Sequence, residues 1–168
     1  MPVARVHKNI NLFIDGRGYA GRVTEFDPPK LTIKTEDFRA GGMDAPRRID
    51  MGMEPMESMV TLADVDRDAL KLFGLVKGED AAMTLRGGQE GPGTGVEAVV
   101  HQLRGRITEV DWGTWKPGDV SPVKLKMDLG YYKLEVDGET DIEIDVDNMV
   151  RIIDGEDQLA EMREALGI

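Results

Sequence analysis

The chain has 168 residues, no cysteine, and 21 Lys and Arg against 32 Asp and Glu, which gives a net charge of −11. The lack of cysteine excludes disulfides, thiol nucleophiles and iron–sulfur clusters, and the negative charge argues against nucleic-acid binding through phosphate neutralisation. The first residues lack the apolar region of a secretory signal, and the apolar runs fall far short of the ~20 residues that cross a bilayer. We expect a single domain over residues 1–168, made in the cytoplasm and not inserted in a membrane.

The first part of the chain predicts short strands, because apolar and polar residues alternate there with a period of two. Strands over 10–14 and 19–26 would form a hairpin around the turn at 15–18. The Pro-Pro pair that follows ends this pairing, since proline cannot donate to a strand ladder. The next strand starts at Lys30, and its alternation predicts that one of its faces is buried.

Residues 38–60 form a Gly- and Met-rich segment that contains five of the ten methionines. Two strands over 49–53 and 57–63 would pair as a second hairpin. A short central helix follows them, with Asp64 or Asp66 as its N-cap and a glycine at its end.

The middle of the chain predicts its longest strands. A weak strand over 81–86 leads into residues 87–95, which are so rich in glycine that we expect a mobile loop. A long strand over 96–110 follows, and another begins at Val123. In this last strand the apolar phase slips by one residue beyond Tyr131, which predicts a β-bulge.

The C-terminal part predicts two further strands and a helix. To keep the apolar residues before and after the turn at 137–138 on one face, the turn needs an odd number of residues, most simply three. Lys133 would then face either Asp141 or Glu143. An amphipathic helix over 157–166 closes the chain.

This order of elements indicates a mainly β fold with flanking helices. Eight to ten strands would form an antiparallel β-sandwich or barrel of two packed sheets, with one short central helix and one C-terminal helix. The 20 glycines and 8 prolines account for the many turns that such a fold requires.

Motifs for catalysis or cofactor binding fail when their context is considered. Residues 16–21 match the dinucleotide pattern G-x-G-x-x-G, but a strand follows them where that motif needs a helix, so a hairpin turn is predicted. The acidic residues from 141 to 147 alternate along a strand and are typical of a solvated face rather than a calcium loop. Neither histidine has metal-ligand spacing, and neither serine lies in a nucleophile elbow. We therefore expect no enzyme activity, no cofactor and no metal.

The Met-rich segment has two interpretations. Methionine is flexible and polarizable, which suits an adaptable surface for protein contacts. The same residues could also fill gaps beneath a surface loop. A long segment with little regular structure is usually functional, so the sequence points toward protein contacts.

Several stretches of the chain resemble the major tail-tube proteins of contractile-tailed phages and of R-type tailocins (pyocins). The similarity covers essentially the whole chain and is loose only over 78–95. Its most specific parts are the Arg-x-Gly-Gly-Met and Tyr-Tyr-Lys-Leu motifs. The similar stretches are residues 11–16, 38–46, 49–54, 111–118, 131–138, 143–150 and 157–163.

The resemblance implies a structural protein of a virion tail or tailocin particle, assembled in the bacterial cytoplasm. Its subunits would form hexameric rings with a continuous inner barrel, stacked into a tube inside a contractile sheath. Its partners would be further copies of itself, the sheath protein, and tape-measure and baseplate or tail-terminator proteins. It would bind no nucleic acid specifically, although DNA could pass through the lumen. The candidate contacts to a neighbouring subunit or ring are Arg39, Gly41, Gly42, Met43, Asp44, Pro46, Met51 and Met53.

Two other functions stay open at the level of the sequence. The tube subunit of a type VI secretion apparatus would share the fold, although the motifs favour the phage and tailocin branch. A monomeric β-barrel that binds a small apolar ligand would need a closed interior pocket.

Overall fold

The computed structural model of the chain describes residues 3–74 and 80–168. Two helices and twelve strands are formed within them, and neither helix is long and apolar enough to span a membrane. In chain order the elements are β1 Val6–Ile14, β2 Arg17–Gly18, β3 Val23–Asp27, β4 Ile33–Phe38, β5 Arg47–Met53, β6 Met56–Leu62, α1 Arg67–Leu70, β7 Ala81–Glu90, β8 Glu97–Asp111, β9 Val123–Val136, β10 Glu139–Asp145, β11 Val150–Ile153, β12 Glu156–Asp157 and α2 Ala160–Leu166.

Ten of the strands form one antiparallel sheet. Its main path runs β12-β11-β10-β9-β8-β7-β1-β2, and β6 joins it through β9 and carries β3 on its far side. The other two strands, β4 and β5, pair only with each other. The predicted fold class, mainly β with antiparallel strands and two short helices, is confirmed.

Strand β9 organises the sheet because it changes partner half-way along its length. β8 pairs with it along both halves, whereas its other edge pairs first with β6 and then with β10. Between the two halves, Arg104 lies opposite Tyr131 and Gly105 lies opposite Leu129, so Gly130 is an extra residue in β9. The predicted bulge is therefore present, and it marks the point where β9 leaves β6.

The core is filled mainly by side chains from six strands, and Tyr19 and Ala69 add to it from outside the strands. Alternate residues of β9 are buried from Val123 to Leu129, and the phase then slips so that Tyr132 is buried. Val60, Leu62, Met83 and the other members of the cluster complete the core. Burying side chains of this size stabilises the fold by about 1.5–3 kcal/mol each.

Helix α1 is held by its predicted N-cap. The Asp66 carboxylate accepts hydrogen bonds from the Asp68 and Ala69 amides at 2.9 Å, and from the Tyr19 hydroxyl at 3.0 Å. Burial opposes ionisation of Asp66, but these hydrogen bonds and the Arg22 guanidinium hold its pKa below the usual value. Burial, together with the hydrogen bond to the Asp66 carboxylate and the charge of that group, raises the pKa of Tyr19 to about 12.

The two predicted N-terminal hairpins are wrong in their pairing. Across the first turn, β1 pairs with the two-residue strand β2. The predicted partner, β3, pairs with β6 instead. β5 does not pair with β6 but turns back on β4, whose residues are all exposed. Pro55 and the left-handed Gly52, with φ of 91°, separate β5 from β6 and let them join different sheets.

One local prediction is corrected and another is confirmed. Val136 pairs directly with Glu139, so the loop has two residues, Asp137 and Gly138, both with positive φ; the odd residue is a bulge near Asp141. Lys133 lies opposite Glu143, one of the two acids predicted to face it, and its ammonium contacts Glu135 at 2.9 Å.

The remaining corrections concern lengths. Residues 87–90 continue β7 rather than starting a loop, because Gly87 and Gly88 pair with β8. α2 begins at Ala160, three residues later than predicted, and ends as expected at Gly167 with φ of 74°.

His101 is a half-buried titratable group next to the core. Its Nδ1 shares a hydrogen bond of 3.0 Å with the Tyr132 hydroxyl, and its ring packs edge-on against Phe26. Burial, with a smaller contribution from His7, lowers the pKa of His101 to about 4, and burial raises that of Tyr132 to about 12. His101 is therefore neutral in the folded chain at neutral pH.

The contact between β8 and β9 predicts that Gly105→Ala destabilises the fold severely. An added Cβ would lie 1.9 Å from the Asp128 carbonyl oxygen and 2.9 Å from the Leu129 Cα, both backbone atoms that cannot move away cheaply. We expect a loss of about 3 kcal/mol or more in the free energy of unfolding, measured by urea denaturation. Gly95→Ala is the control, since its Cβ meets nothing within 4 Å; equal effects of the two substitutions would contradict the prediction.

The buried His101 predicts a loss of stability in mild acid. Its pKa of about 4 lies below the ordinary 6.5, so the unfolded chain takes up this proton first as the pH falls. Stability should therefore fall by at most about 3 kcal/mol between pH 6.5 and 4 and be regained on returning to neutral pH. His101→Gln should remove this component, as measured by thermal unfolding at several pH values; an unchanged difference between pH 6.5 and 4 would show that His101 is not its source.

Candidate interaction site

The exposed hairpin of β4 and β5 is the most unusual surface of the molecule. We call residues 33–53 the arm. Twelve of the thirteen residues of its two strands are exposed, and Met53 at the root packs against the core, so the arm extends outward from its root. Antiparallel pairing from Phe38–Arg47 to Ile33–Met53 holds the two strands together. An isolated two-stranded hairpin is only marginally stable in water, so contact with another surface would stabilise the arm.

The tip of the arm, residues 39–46, is a compact turn. The Met43 amide donates to the Ala40 carbonyl at 3.2 Å, and the Arg39 Nε donates to the Met43 carbonyl at 3.2 Å. Gly42 has a φ of 86°, in the left-handed region that favours glycine. Gly42 therefore has a structural role in closing the tip.

Two hydrogen bonds close the root of the arm. The Asp50 carboxylate accepts from the Gly52 amide at 2.7 Å, which supports the left-handed residue. The Glu54 amide then donates to the Thr32 carbonyl at 2.9 Å. The pairing of β4 with β5 also shifts register at the root, between Ile33 and Thr35.

One face of the arm carries an exposed apolar stripe made of Phe38, Ile49 and Met51. Phe38 lies opposite Arg47, and Ile49 and Met51 follow Arg47 at every second position, so these residues share a face. Their side chains are 53%, 44% and 51% exposed. Arg47 lies opposite Phe38 and Glu36 lies opposite Ile49, so this face combines three large exposed apolar side chains with two charged ones, which makes it a candidate interaction surface.

A surface groove lies at the root of the arm, where β9 changes partner. We call it the notch; it has a volume of about 710 Å³. β6 borders it on one side and β10 on the other, and α2 covers one end. Its apolar lining comes mainly from Met53, Pro55, Met56, Leu129, Ile144 and Met162.

The arm has no net charge, whereas the lining of the notch is acidic. Over residues 33–53 four bases balance four acids, and the Arg48 guanidinium lies 3.6 Å from the Asp37 carboxylate. The notch has three acids on its rim, Asp50, Glu54 and Asp145, and one base, Arg151. Burial opposes ionisation of Asp145, but hydrogen bonds from Asn148 outweigh it and lower the pKa, so this rim charge persists at neutral pH.

The eight residues proposed from the sequence fall on one structural unit. Six of them, from Arg39 to Pro46, form the tip, Met51 lies on the stripe, and Met53 reaches from the root into the notch. Sequence reasoning missed Phe38 and Ile49, although the alternation of Arg47, Ile49 and Met51 was a signal for them. It also missed the notch, whose lining comes from distant segments.

The other motifs do not assemble into a chemical site in the described residues. Within 3–74 and 80–168, no three His, Cys, Asp or Glu side chains come together as a metal site would require. The acidic row of β10 is partly tied into the sheet, since Glu143 accepts from the Tyr131 hydroxyl at 2.9 Å. Burial and this contact raise the pKa of Tyr131 to about 12.

Comparison with known proteins places this geometry in a family. The chain is 29% identical over 172 residues to the tail tube protein of Escherichia phage P2, with both chains fully covered. It is 30% identical over 157 residues to the major tail tube protein of Serratia phage KSP20, covering 92% of this chain and 91% of that one.

A solved structure supports the fold alone. It is the sheath/tube terminator of PVC, an extracellular contractile injection system, in its extended state. Its TM-score with this chain is 0.58 at 8% identity, over 76% of this chain and 94% of the other. The family model of the phage tail tube protein FII matches residues 5–167. The chain therefore belongs to the phage tail tube protein FII family.

Proposed function

We propose that the chain is the structural subunit of the inner tube of a contractile phage tail or tailocin. Residues 1–168 act as one domain that assembles into hexameric rings, and the rings stack into a hollow tube. The observation that carries the proposal is the arm, an exposed apolar hairpin in a member of the tail tube family. An exposed apolar surface of this kind promotes unwanted association of an isolated molecule, whereas an assembly buries it between subunits.

The edges of the large sheet support assembly into rings. In the described part of the chain, β7 pairs along β1, whereas β2 covers only Phe13 and Ile14 on the other edge. Residues 6–11 of β1 therefore offer backbone groups to a neighbouring strand. Pairing this edge with the opposite edge of the next subunit is a head-to-tail contact, which can close into a ring with a continuous inner barrel.

The same proposal defines the surroundings of the protein. The tube lies inside a sheath protein, around a tape-measure protein, and between baseplate and tail-terminator proteins in the particle. DNA can pass through its lumen without specific binding, in line with the net charge of −11. The subunit has no catalytic role.

The two alternatives from the sequence have less support. A type VI secretion tube would share the fold, but the curated relatives are phage tail tube proteins. A barrel that binds a small ligand needs an enclosed cavity, whereas fully buried side chains such as Leu12, Met56 and Ile107 fill the interior here.

Deleting residues 41–46 should abolish tubes and leave a folded protein. The deleted residues belong to the exposed tip, whereas the core lies in the body, so the cooperative thermal melt of the body should persist. Negative-stain electron microscopy and light scattering at high concentration should show hollow tubes for the unchanged protein and small species for the deletion. Long tubes from the deleted protein would exclude the tip as the stacking contact. Failure of the unchanged protein to form rings or tubes, even with a baseplate nucleus, would contradict the proposed function.

Replacing apolar residues of the stripe should weaken assembly and leave the stability of the folded chain nearly unchanged. Phe38→Ser with Met51→Ser changes exposed side chains, so the free energy of unfolding should shift by no more than about 0.5 kcal/mol per site. The concentration needed to form tubes, measured by sedimentation, should rise at least tenfold. Val120→Ser, another exposed apolar position, should leave that concentration unchanged; an equal effect at Val120 would contradict a specific role for the stripe.

A further inference from the structure

We propose that the notch and the acidic surface around it bind a basic amphipathic helix of a different polypeptide. The partner is not a second copy of this chain, so the inference stands independently of tube assembly. Three observations carry it: the uneven distribution of charge along the chain, the apolar lining of the notch beside fully paired strands, and a buried arginine donor without a partner.

The negative charge of the chain is concentrated in its last part. Residues 137–168 contain eleven acids and two bases, whereas residues 1–136 contain 21 acids and 19 bases. The segment from the turn before β10 to the end of α2 therefore holds nine of the eleven excess negative charges. Among the described residues, Asp157 is the only one of its acids in an ion pair, and its partner is Arg163. This surface attracts a cationic segment and repels phosphates.

The excess acids lie beside the notch. Asp145 is part of its lining, and the Asp147 carboxylate lies next to Gly130, where a Cβ would be 3.6 Å from its Oδ2. On α2, the exposed Glu161 adjoins Met162, which also lines the notch. An apolar groove with acids at its border fits a segment that carries apolar residues on one side and bases next to them.

The apolar lining of the notch is accessible to a partner. Val146 and Met162 both line it, and they are 60% and 53% exposed. The volume of about 710 Å³ accommodates apolar side chains from one face of a helix. Methionine side chains in the lining adapt to the shape of the occupant.

The pairing of β9 favours a helix over an extended segment. Within the described residues, the edge of β9 at the notch pairs with β6 up to Leu129 and with β10 from Tyr131. The Gly130 carbonyl between them accepts from the Val146 amide at 2.9 Å. A strand that adds to a sheet needs unpaired backbone groups, which β9 does not offer here. A helix satisfies its own backbone and is held by side chains.

The described helices of this chain do not have the required charge. Residues 160–166 of α2 contain two acids and one base, and α1 has only four residues, with one acid and one base. The arm has no net charge and already contributes Asp50, Gly52 and Met53 to the lining. The basic occupant must therefore come from another polypeptide.

A buried donor indicates how the helix would be oriented. The Nε of Arg151, which lines the notch, has no hydrogen-bond partner among the described residues. An unsatisfied buried donor costs about 1–3 kcal/mol, and the last four carbonyls of a helix have no partner within the helix. We expect the C-terminal end of the incoming helix to point toward Arg151.

The far wall of the notch is held in a fixed conformation. Met149 lies in this wall and has a φ of 54°, in the left-handed region that methionine rarely adopts. The Arg163 Nη1 donates to its carbonyl at 2.7 Å and so links the wall to α2. Such backbone conformations persist where the surrounding structure fixes them, as at binding surfaces.

NMR of methionine methyl groups tests the location of the contact. The probe is a synthetic peptide of about 18 residues with Leu at helical spacing and Lys at the other positions. It is titrated into the full chain, labelled with ¹³C at the methionine methyls, below the concentration at which tubes form. We expect shifts for Met53, Met56, Met149 and Met162, which line the notch, and none for Met43 at the tip or Met83 in the core.

Binding measured by fluorescence anisotropy tests the specificity. A peptide of the same composition in an order without an apolar face should bind at least about tenfold more weakly. Val146→Lys with Met162→Lys should weaken binding of the amphipathic peptide at least about tenfold. Val96→Lys with Val120→Lys is the matched control, because it makes the same charge change at exposed positions outside the notch and should stay within about twofold. Thermal melts of both variants check that the chain stays folded.

The outcomes separate this inference from the proposed function. Failure of the peptide to bind, shifts outside the notch, or equal effects in the peptide and variant controls would overturn the contact. Loss of tubes from the protein with Val146→Lys and Met162→Lys, with tubes retained in the matched control, would show that another copy occupies the notch and would overturn it as well. Absence of tubes from the unchanged protein would contradict only the proposed function.

Discussion

The close contact of β8 with β9 at Gly105 and Gly130 is the constraint on which the other features depend. Gly105 lies so near the Asp128 and Leu129 backbone that no other residue fits without a shift. The extra residue Gly130 bends β9 there, and its carbonyl accepts from the Val146 amide at 2.9 Å. This bend separates β6 from β10. The gap between the two strands becomes the notch, so one bulge defines both the path of the sheet and the position of this groove.

The arm follows from a second break, at the root between β5 and β6. Gly52 and Pro55 turn the chain out of the sheet, and its apolar side chains then face solvent. Exposed hairpins and free strand edges are usually protected in monomers because they promote association. Here the arm and the edge of β1 belong to a member of the phage tail tube protein family, which is why we propose a role in assembly for both.

Much of the fold could be predicted from the sequence because period-two alternation governs its long strands. The phase slip beyond Tyr131 located the bulge, and the capping residues Asp66 and Gly167 located one end of each helix. Strand pairing was predicted less well. The residues of β4 alternate as a half-buried strand would, yet they are exposed, because β4 pairs only with β5 in the described part of the chain and lies outside the large sheet. Alternation indicates two unlike faces of a strand without showing whether either face is buried.

The candidate site could be predicted only in part, because local sequence patterns do not show which distant segments come together. Glycine and methionine marked the tip, since turns need left-handed residues and contact surfaces favour flexible side chains. The notch left no local signal. Its lining residues, such as Met56, Leu129 and Met162, are far apart in the chain and come together only because β9 changes partner.

The most direct test of this account is a cryo-EM reconstruction of tubes assembled from the purified protein, at a resolution that shows side chains. The account predicts hexameric rings in which the arm of each subunit is covered by a neighbour, with Phe38, Ile49 and Met51 in an apolar contact. A tube whose arms project freely into solvent or into an empty lumen would contradict it.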